Sequence, residues 1–177
     1  MAQSDANGVV PPRLAEAQER NPKRGVYARL VGLALMLGLV VAAVLNVFGQ
    51  GPASSNAQGA AGTLGVSAPE RVRGGLLFQA VFDIHATRAL RRPTLAFDPG
   101  WLDSMTLTTL EPSPASEWSA GDRLKLRFGG LRPGQSMRVW TDWQVNPTNL
   151  GSQSQGVTLD DGARGVARVD RSVTVFP

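Results

Sequence analysis

Residues 122–145 read DRLKLRFGGLRPGQSMRVWTDWQV, and the period of this stretch decides the fold class. In its first run Leu124, Leu126 and Phe128 alternate with Arg123, Lys125 and Arg127. Successive side chains of an extended chain point to opposite faces, so the run predicts a strand with an apolar inner face and a basic outer one. In the following Leu-Arg-Pro-Gly-Gln, Pro133 and Gly134 suit the two central positions of a type II turn. Proline presets φ near about −65° at the first position, and glycine accepts the positive φ of the second. The second run, SMRVWTDWQV, places Met137, Val139, Thr141, Trp143 and Val145 on one face. Ser136, Arg138, Trp140, Asp142 and Gln144 take the other. Two tryptophans three residues apart therefore point in opposite directions. Trp143 belongs to the core, and Trp140 stands outward among polar groups.

The same period recurs on both sides of this stretch. LLFQAVFDIHA, residues 76–86, puts Leu76, Phe78, Ala80, Phe82, Ile84 and Ala86 on one face. TLAFDP and MTLTTLEP are shorter candidates, each ended by proline. GVTL, the turn DDG and a final SVTVF complete the set. About seven short strands punctuated by turn residues, with no helical period, predict an all-β immunoglobulin-like antiparallel sandwich over residues 70–177.

Residues 30–48, LVGLALMLGLVVAAVLNVF, carry no charge, and Asn46 is their one polar side chain. Starting at Val26 adds Arg29, whose long stem can reach an interface. At a rise of about 1.5 Å per residue, residues 26–48 exceed the roughly 30 Å of a bilayer core. The h-region of a signal peptide is shorter, about 7 to 15 residues, so an uncleaved signal anchor is expected here. Small residues in SSNAQ, 54–58, offer a cleavage point after Ala57 as the competing reading. Arg13, Arg20, Lys23, Arg24 and Arg29 precede the span, whereas residues 49–69 carry no charge. The positive-inside rule then leaves residues 1–25 as a disordered cytoplasmic tail and puts the rest outside. Residues 49–69, beginning GQGPASSNAQGAAG, read as a flexible Gly/Ala/Ser linker.

Composition excludes several functions. The chain has no cysteine, so an exported domain must fold without disulfides. A formal net charge of +4 is too small for a nucleic-acid surface. His85 is the single histidine, and no Gly-x-Ser-x-Gly elbow accompanies it. Zinc needs three or four His, Cys or carboxylate ligands, which the chain does not group. Asp160-Asp161-Gly162 with Asn146 and Asn149 supplies few of the oxygens that calcium takes, and Asp-Gly is also a hairpin turn signal. No catalytic set, metal or cofactor is expected.

Trp140 is the residue without an obvious duty. If residues 123–127 pair directly with residues 138–142, then Arg123, Lys125, Arg127, Arg138 and Trp140 share one face. Such a basic-aromatic patch is the candidate interaction surface, suited to anionic headgroups, an anionic envelope polymer or an acidic partner. Trp101 in DPGWL and Trp118 in SEWSAGD stand beside turn-like segments and read as capping or rim residues.

The strand, Leu-x-Pro-Gly-Gln turn and strand of residues 122–145, with LAFDPGWLDSMTLTTLEPSP upstream, resemble the immunoglobulin-like "conserved repeat" domains of bacterial surface proteins. The resemblance covers roughly residues 76–177 and implies a surface sandwich of a bacterium. A single copy beside an anchor departs from the tandem arrays of those proteins. In such sandwiches the strands flanking this turn often belong to opposite sheets, which would divide the patch. The expected protein is single-pass in a bacterial plasma membrane, contacting the bilayer through residues 26–48 and an envelope or membrane protein through its exported domain. Its expected role is non-enzymatic, that of an interaction or accessory module. The competing reading is a ligand-binding or polysaccharide-binding protein, or an enzyme, using loops at one end of the sandwich.

Overall fold

The computed structural model describes residues 22–45 and 51–177, with side chains from Gly25 onward. Helix α1, Pro22–Val44, is one unit of the chain, and all the strands belong to the other. Pro22 suits a first helical position, where its missing N–H costs nothing. The stretch Gly25–Val44 is long and apolar enough to cross a membrane. The helix begins four residues before the expected boundary of the tail. Residues 1–21 of that tail, and residues 46–48 of the expected span with Asn46, lie outside the described residues.

The second unit runs β1 Pro52–Gln58, β2 Gly62–Pro69, β3 Arg71–Arg73, β4 Leu77–Ala86, β5 Pro93–Phe97, then the one-turn helix α2 Gly100–Asp103. It continues with β6 Met105–Glu111, β7 Ser116–Ala120, β8 Arg123–Arg127, β9 Ser136–Val145 and β10 Gly151–Ser154. β11 Val157–Asp161, β12 Arg164–Val169 and β13 Ser172–Phe176 complete it. One five-stranded sheet has the order β1-β2-β4-β9-β6, the other β12-β11-β5-β8-β7, and both are antiparallel throughout. A small third sheet, β10-β13-β3, contains the one parallel pair among the described strands. The fold is an all-β sandwich of immunoglobulin-like type. It has more strands than the seven expected, because the long apolar runs are joined by short polar ones that alternate weakly.

The inner faces follow the predicted period. Phe78, Ala80, Phe82, Ile84 and Ala86 of β4 are buried, as are Val139, Thr141, Trp143 and Val145 of β9. Leu95 and Phe97 of β5 and Leu124 and Leu126 of β8 face them from the other sheet. At the centre the rings of Phe82 and Phe97 meet edge to face at 5.2 Å, Phe97 meets Trp101 at 5.7 Å, and Trp101 lies 4.8 Å from Trp143. Trp143 Nε1 donates to Thr141 Oγ1 at 2.7 Å, and that hydroxyl donates to the Ala80 carbonyl at 3.2 Å. The indole is thus buried without losing its polar bond. Trp101, expected near a rim, is fully buried in this cluster.

The largest departure from expectation lies at residues 49–69. Instead of a linker, residues 52–69 form the β1–β2 hairpin, in continuous register from Pro52↔Pro69 to Gln58↔Thr63. Gly, Ala and Ser look flexible by composition, but small residues also let strands pack closely. Leu64, Val66 and Ala68 bury one face of β2 with period two. A Cβ at Gly59, where the hairpin turns, would overlap the Val166 carbonyl of β12, so only glycine allows that approach.

The two tryptophans of β9 separate cleanly in energy. Trp143→Ala should cost about 3 to 5 kcal/mol, as for other large aromatic truncations in cores. Trp140→Ala removes one cross-strand pair and should cost about 1 kcal/mol or less. Urea unfolding of the detergent-solubilised full chain checks both; equal losses would contradict the assignment of faces.

Candidate interaction surface

The turn between β8 and β9 forms as its sequence dictates. Gly134 has φ of +80°, and the Gln135 N–H donates to the Arg132 carbonyl at 3.0 Å. It does not join paired strands. β8 belongs to one five-stranded sheet and β9 to the other, with Leu131 bridged to Leu90 along the way. Arg123, Lys125 and Arg127 therefore face out from one side of the sandwich, and Arg138 and Trp140 from the other. The single patch of five side chains does not exist. The reason is that Gly129, Gly130 and the turn lengthen the connection enough for the chain to cross between sheets, where a direct hairpin would need a short loop.

Trp140 stands in a ladder of cross-strand pairs. β4 and β9 set Gln79 against Asp142, Val81 against Trp140, Asp83 against Arg138 and His85 against Ser136. Three of these rungs are polar. Gln79 Nε2 donates to Asp142 Oδ1 at 3.3 Å, and His85 Nδ1 lies 2.9 Å from Ser136 Oγ. Arg138 donates twice to Asp83, from Nε at 2.6 Å and Nη2 at 3.1 Å. That bond and the carboxylate charge hold the Arg138 guanidinium more basic than usual. The one apolar rung is Trp140 with Val81, and Trp140 is 41% exposed. Its other neighbour, across β6, is Glu111.

On the opposite sheet the basic residues of β8 have a different aromatic partner. β7 sets Trp118 directly against Lys125, and Trp118 is exposed. A basic-aromatic pairing thus exists, with Trp118 in place of Trp140. SEWSAGDRLKLR carried the signal: two short runs separated by Gly121, whose φ is +61°, form a local hairpin. Beside it, Asp98 is buried at the centre of an ion cluster. Arg168 donates to it from Nη2 at 2.7 Å and Nη1 at 3.2 Å, and Arg123 Nη2 lies 3.2 Å away. A Cβ at Gly156 would overlap the Asp98 carboxylate, so glycine leaves room for the pair. Hydrogen bonds from Arg168 hold the Asp98 carboxyl below its ordinary range; burial opposes them, and the charges of Arg168 and Arg123 add to them. Asp160 moves the other way, raised by burial and only partly compensated by Lys125 at 3.9 Å and by Arg123. Ala96 and Thr94 of β5 are buried although they face outward, set across from Lys125 and Arg127 of β8.

The hollow between the edges of β6 and β7, about 550 Å³, is lined by Leu102, Met105, Leu107, Leu110 and Leu124, with Glu117 as its one charged group. Among the described residues no three His, Cys, Asp or Glu side chains group in a way that could hold a metal ion.

No family model matches this chain, and no curated protein matches it. Solved structures similar to it include a non-cellulosomal cohesin from the hyperthermophilic archaeon Archaeoglobus fulgidus. That match is 11% identical, covers 60% of this chain and 86% of the cohesin, and has a TM-score of 0.35. CaCohA2 from Clostridium acetobutylicum is 12% identical over 59% of this chain and 86% of its own, with a TM-score of 0.40.

The ion cluster makes a signed prediction. Asp98 is held below its unfolded pKa of about 3.9, so it contributes stability above roughly pH 4 that is lost as the pH falls through its folded value. The raised Asp160 has the opposite sign and cannot imitate this. Asp98→Asn should lower stability at neutral pH by about 2 kcal/mol and flatten the acid limb. Urea midpoints for both proteins from neutral to acid pH test it: parallel profiles would deny Asp98 its role.

Proposed function

We propose that the chain is a single-pass protein of a bacterial plasma membrane, its N-terminus cytoplasmic, whose exported sandwich docks an envelope or membrane protein without catalysing a reaction. The observation that carries this reading is the presentation of Trp140. A large indole stands outward on a central strand as the one apolar rung in a polar ladder, beside an arginine already fixed by two bonds to Asp83. An aromatic anchor ringed by ordered polar groups is the arrangement that concentrates binding energy in protein interfaces. A pre-fixed Arg138 loses little side-chain entropy when a partner arrives.

The anchor supports the same reading. Seven residues, 45–51, separate Val44 from β1, so the sandwich stays close to the bilayer and to other proteins in it. Confinement of that kind raises effective concentration and lets a modest interface suffice. The place of Ala57 in β1 supports retention of the anchor. Ala57 lies inside that strand, opposite Leu64, and cleavage after it would strip the edge from a five-stranded sheet.

Photocrosslinking in the native membrane tests the docking surface. A photoreactive residue at position 140 should give a discrete adduct, and one at Ala163, in the exposed turn of the other sheet, should not. Adducts at neither position, or equally at both, would sink the reading. Intact mass of the membrane-extracted protein tests the anchor: the chain should keep its residues before Ala57, and a product beginning at Gln58 would overturn retention.

A further inference from the structure

The sandwich exposes its apolar side chains unevenly. Apart from Trp118 and Trp140, every large apolar side chain it exposes among the described residues belongs to one pole: Leu76, Leu77, Leu102, Leu150 and Phe176. The main chain ties these positions together. Gly74 N–H donates to the Phe176 carbonyl, Gly75 N–H to the Val145 carbonyl, and Val145 N–H to the Leu76 carbonyl. Gly151, next to Leu150, pairs with Val175, next to Phe176. Asn149 Nδ2 reaches the Asp103 carbonyl, which brings α2 and Leu102 to the same end. Leu76, Leu77, Leu150 and Phe176 are between 46% and 63% exposed, more than stray surface leucines need be on a domain whose opposite pole shows none.

The chain also enters the sandwich here. Pro52, at the start of β1, lines one hollow with Pro69 and Leu77. The seven residues between Val44 and Pro52 reach at most about 25 to 30 Å, at roughly 3.3 to 3.6 Å each. Pro52 starts β1 at this pole, so the pole is joined to the apolar helix by those seven residues of chain. The exposed side chains of Leu76, Leu77, Leu150 and Phe176 are apolar, so burial of apolar area is the driving term at a bilayer boundary.

We propose that this pole is a second membrane contact: Leu76, Leu77, Leu150 and Phe176 insert into the headgroup–acyl boundary of the bilayer that α1 crosses. The inference rests on reading α1 as a membrane span.

The absence of native cysteine makes the test direct. Single variants Leu77→Cys, Leu150→Cys, Arg132→Cys at the opposite pole and Leu37→Cys in α1 are labelled with an environment-sensitive fluorophore. The full chain is then reconstituted into phosphatidylcholine vesicles with and without lipid bearing a nitroxide in the upper acyl chain. Probes at 77 and 150 should lose about twofold in fluorescence to the nitroxide, as expected for side chains about 5 to 10 Å into the boundary. The probe at 37 should be quenched too, and the one at 132 should not. Quenching at 37 without quenching at 77 and 150 overturns the contact and leaves the span standing. No quenching at 37 removes the span and the contact with it. A blue shift at 77 that ignores the nitroxide means a protein, or a second copy of this chain, covers the pole, and likewise overturns the contact.

Discussion

Everything in the β-sandwich unit depends on the aromatic contact between its two sheets. Phe82 and Trp143 come from one sheet, Phe97 from the other, and Trp101 from the single turn of helix beside them. With no cysteine in the chain, this contact has no covalent substitute. Large rings bury much apolar area each, and their edge-to-face and tilted geometry adds direction to what is otherwise a non-directional force. Trp143 keeps its polar bond through Thr141 of the same strand, whereas the Trp101 indole N–H is buried without a hydrogen-bond partner, a cost the ring contacts must offset. Gly100 shows how tightly the arrangement is set: a Cβ there would overlap the Ser154 carbonyl, so α2 can bring Trp101 inward only because glycine precedes it.

Closing the sandwich this way determines what the outer faces can do. Because β8 and β9 sit in different sheets, the basic stripe and the Trp140 stripe look in opposite directions. Most of their cations are then paired locally. Arg138 is taken by Asp83, Arg123 and Arg168 by Asp98, and Lys125 faces Asp160. Exposed pairs such as Arg138–Asp83 contribute little to stability, so their use is to hold side chains still. The buried Asp98 is a different matter: its two arginines satisfy a carboxylate that could not otherwise leave water. Arg138, Arg123, Arg168 and Lys125 are thus each held by a carboxylate, and exposed apolar area separates one region from another more sharply than they do.

How much of this the sequence carried depends on the range of the interaction involved. Strand faces are set by neighbours two residues apart, and those of β4, β8 and β9 were legible residue by residue. The Pro133-Gly134 turn was legible for the same reason. Sheet membership is set by hydrogen bonds between distant segments, and nothing local in residues 122–145 says whether the turn folds back or crosses over. The β1–β2 hairpin was hidden by its composition, since Ala, Ser and Gly signal flexibility when they have no partner and close packing when they do. Trp101 was misplaced because a Pro-Gly turn normally marks a surface, and here the turn itself is packed inward.

The pole at Gly74–Leu77 joins these threads. In the sequence, GGLL is a turn followed by the first residues of a strand, and the second leucine falls on the outward face by period alone. A soluble domain gains nothing from an exposed Leu77, and a charged residue at that position would keep the strand. With Leu150 and Phe176, which arrive from segments some seventy and a hundred residues further along, Leu77 makes three separate parts of the chain expose apolar area at one end. The end they share is where β1 begins, a few residues after an apolar helix long enough to span a bilayer. The hairpin that replaces the expected linker is what makes this coincidence matter. A linker running to residue 69 would leave some 25 residues between this pole and the apolar helix, whereas the hairpin leaves seven between Val44 and Pro52.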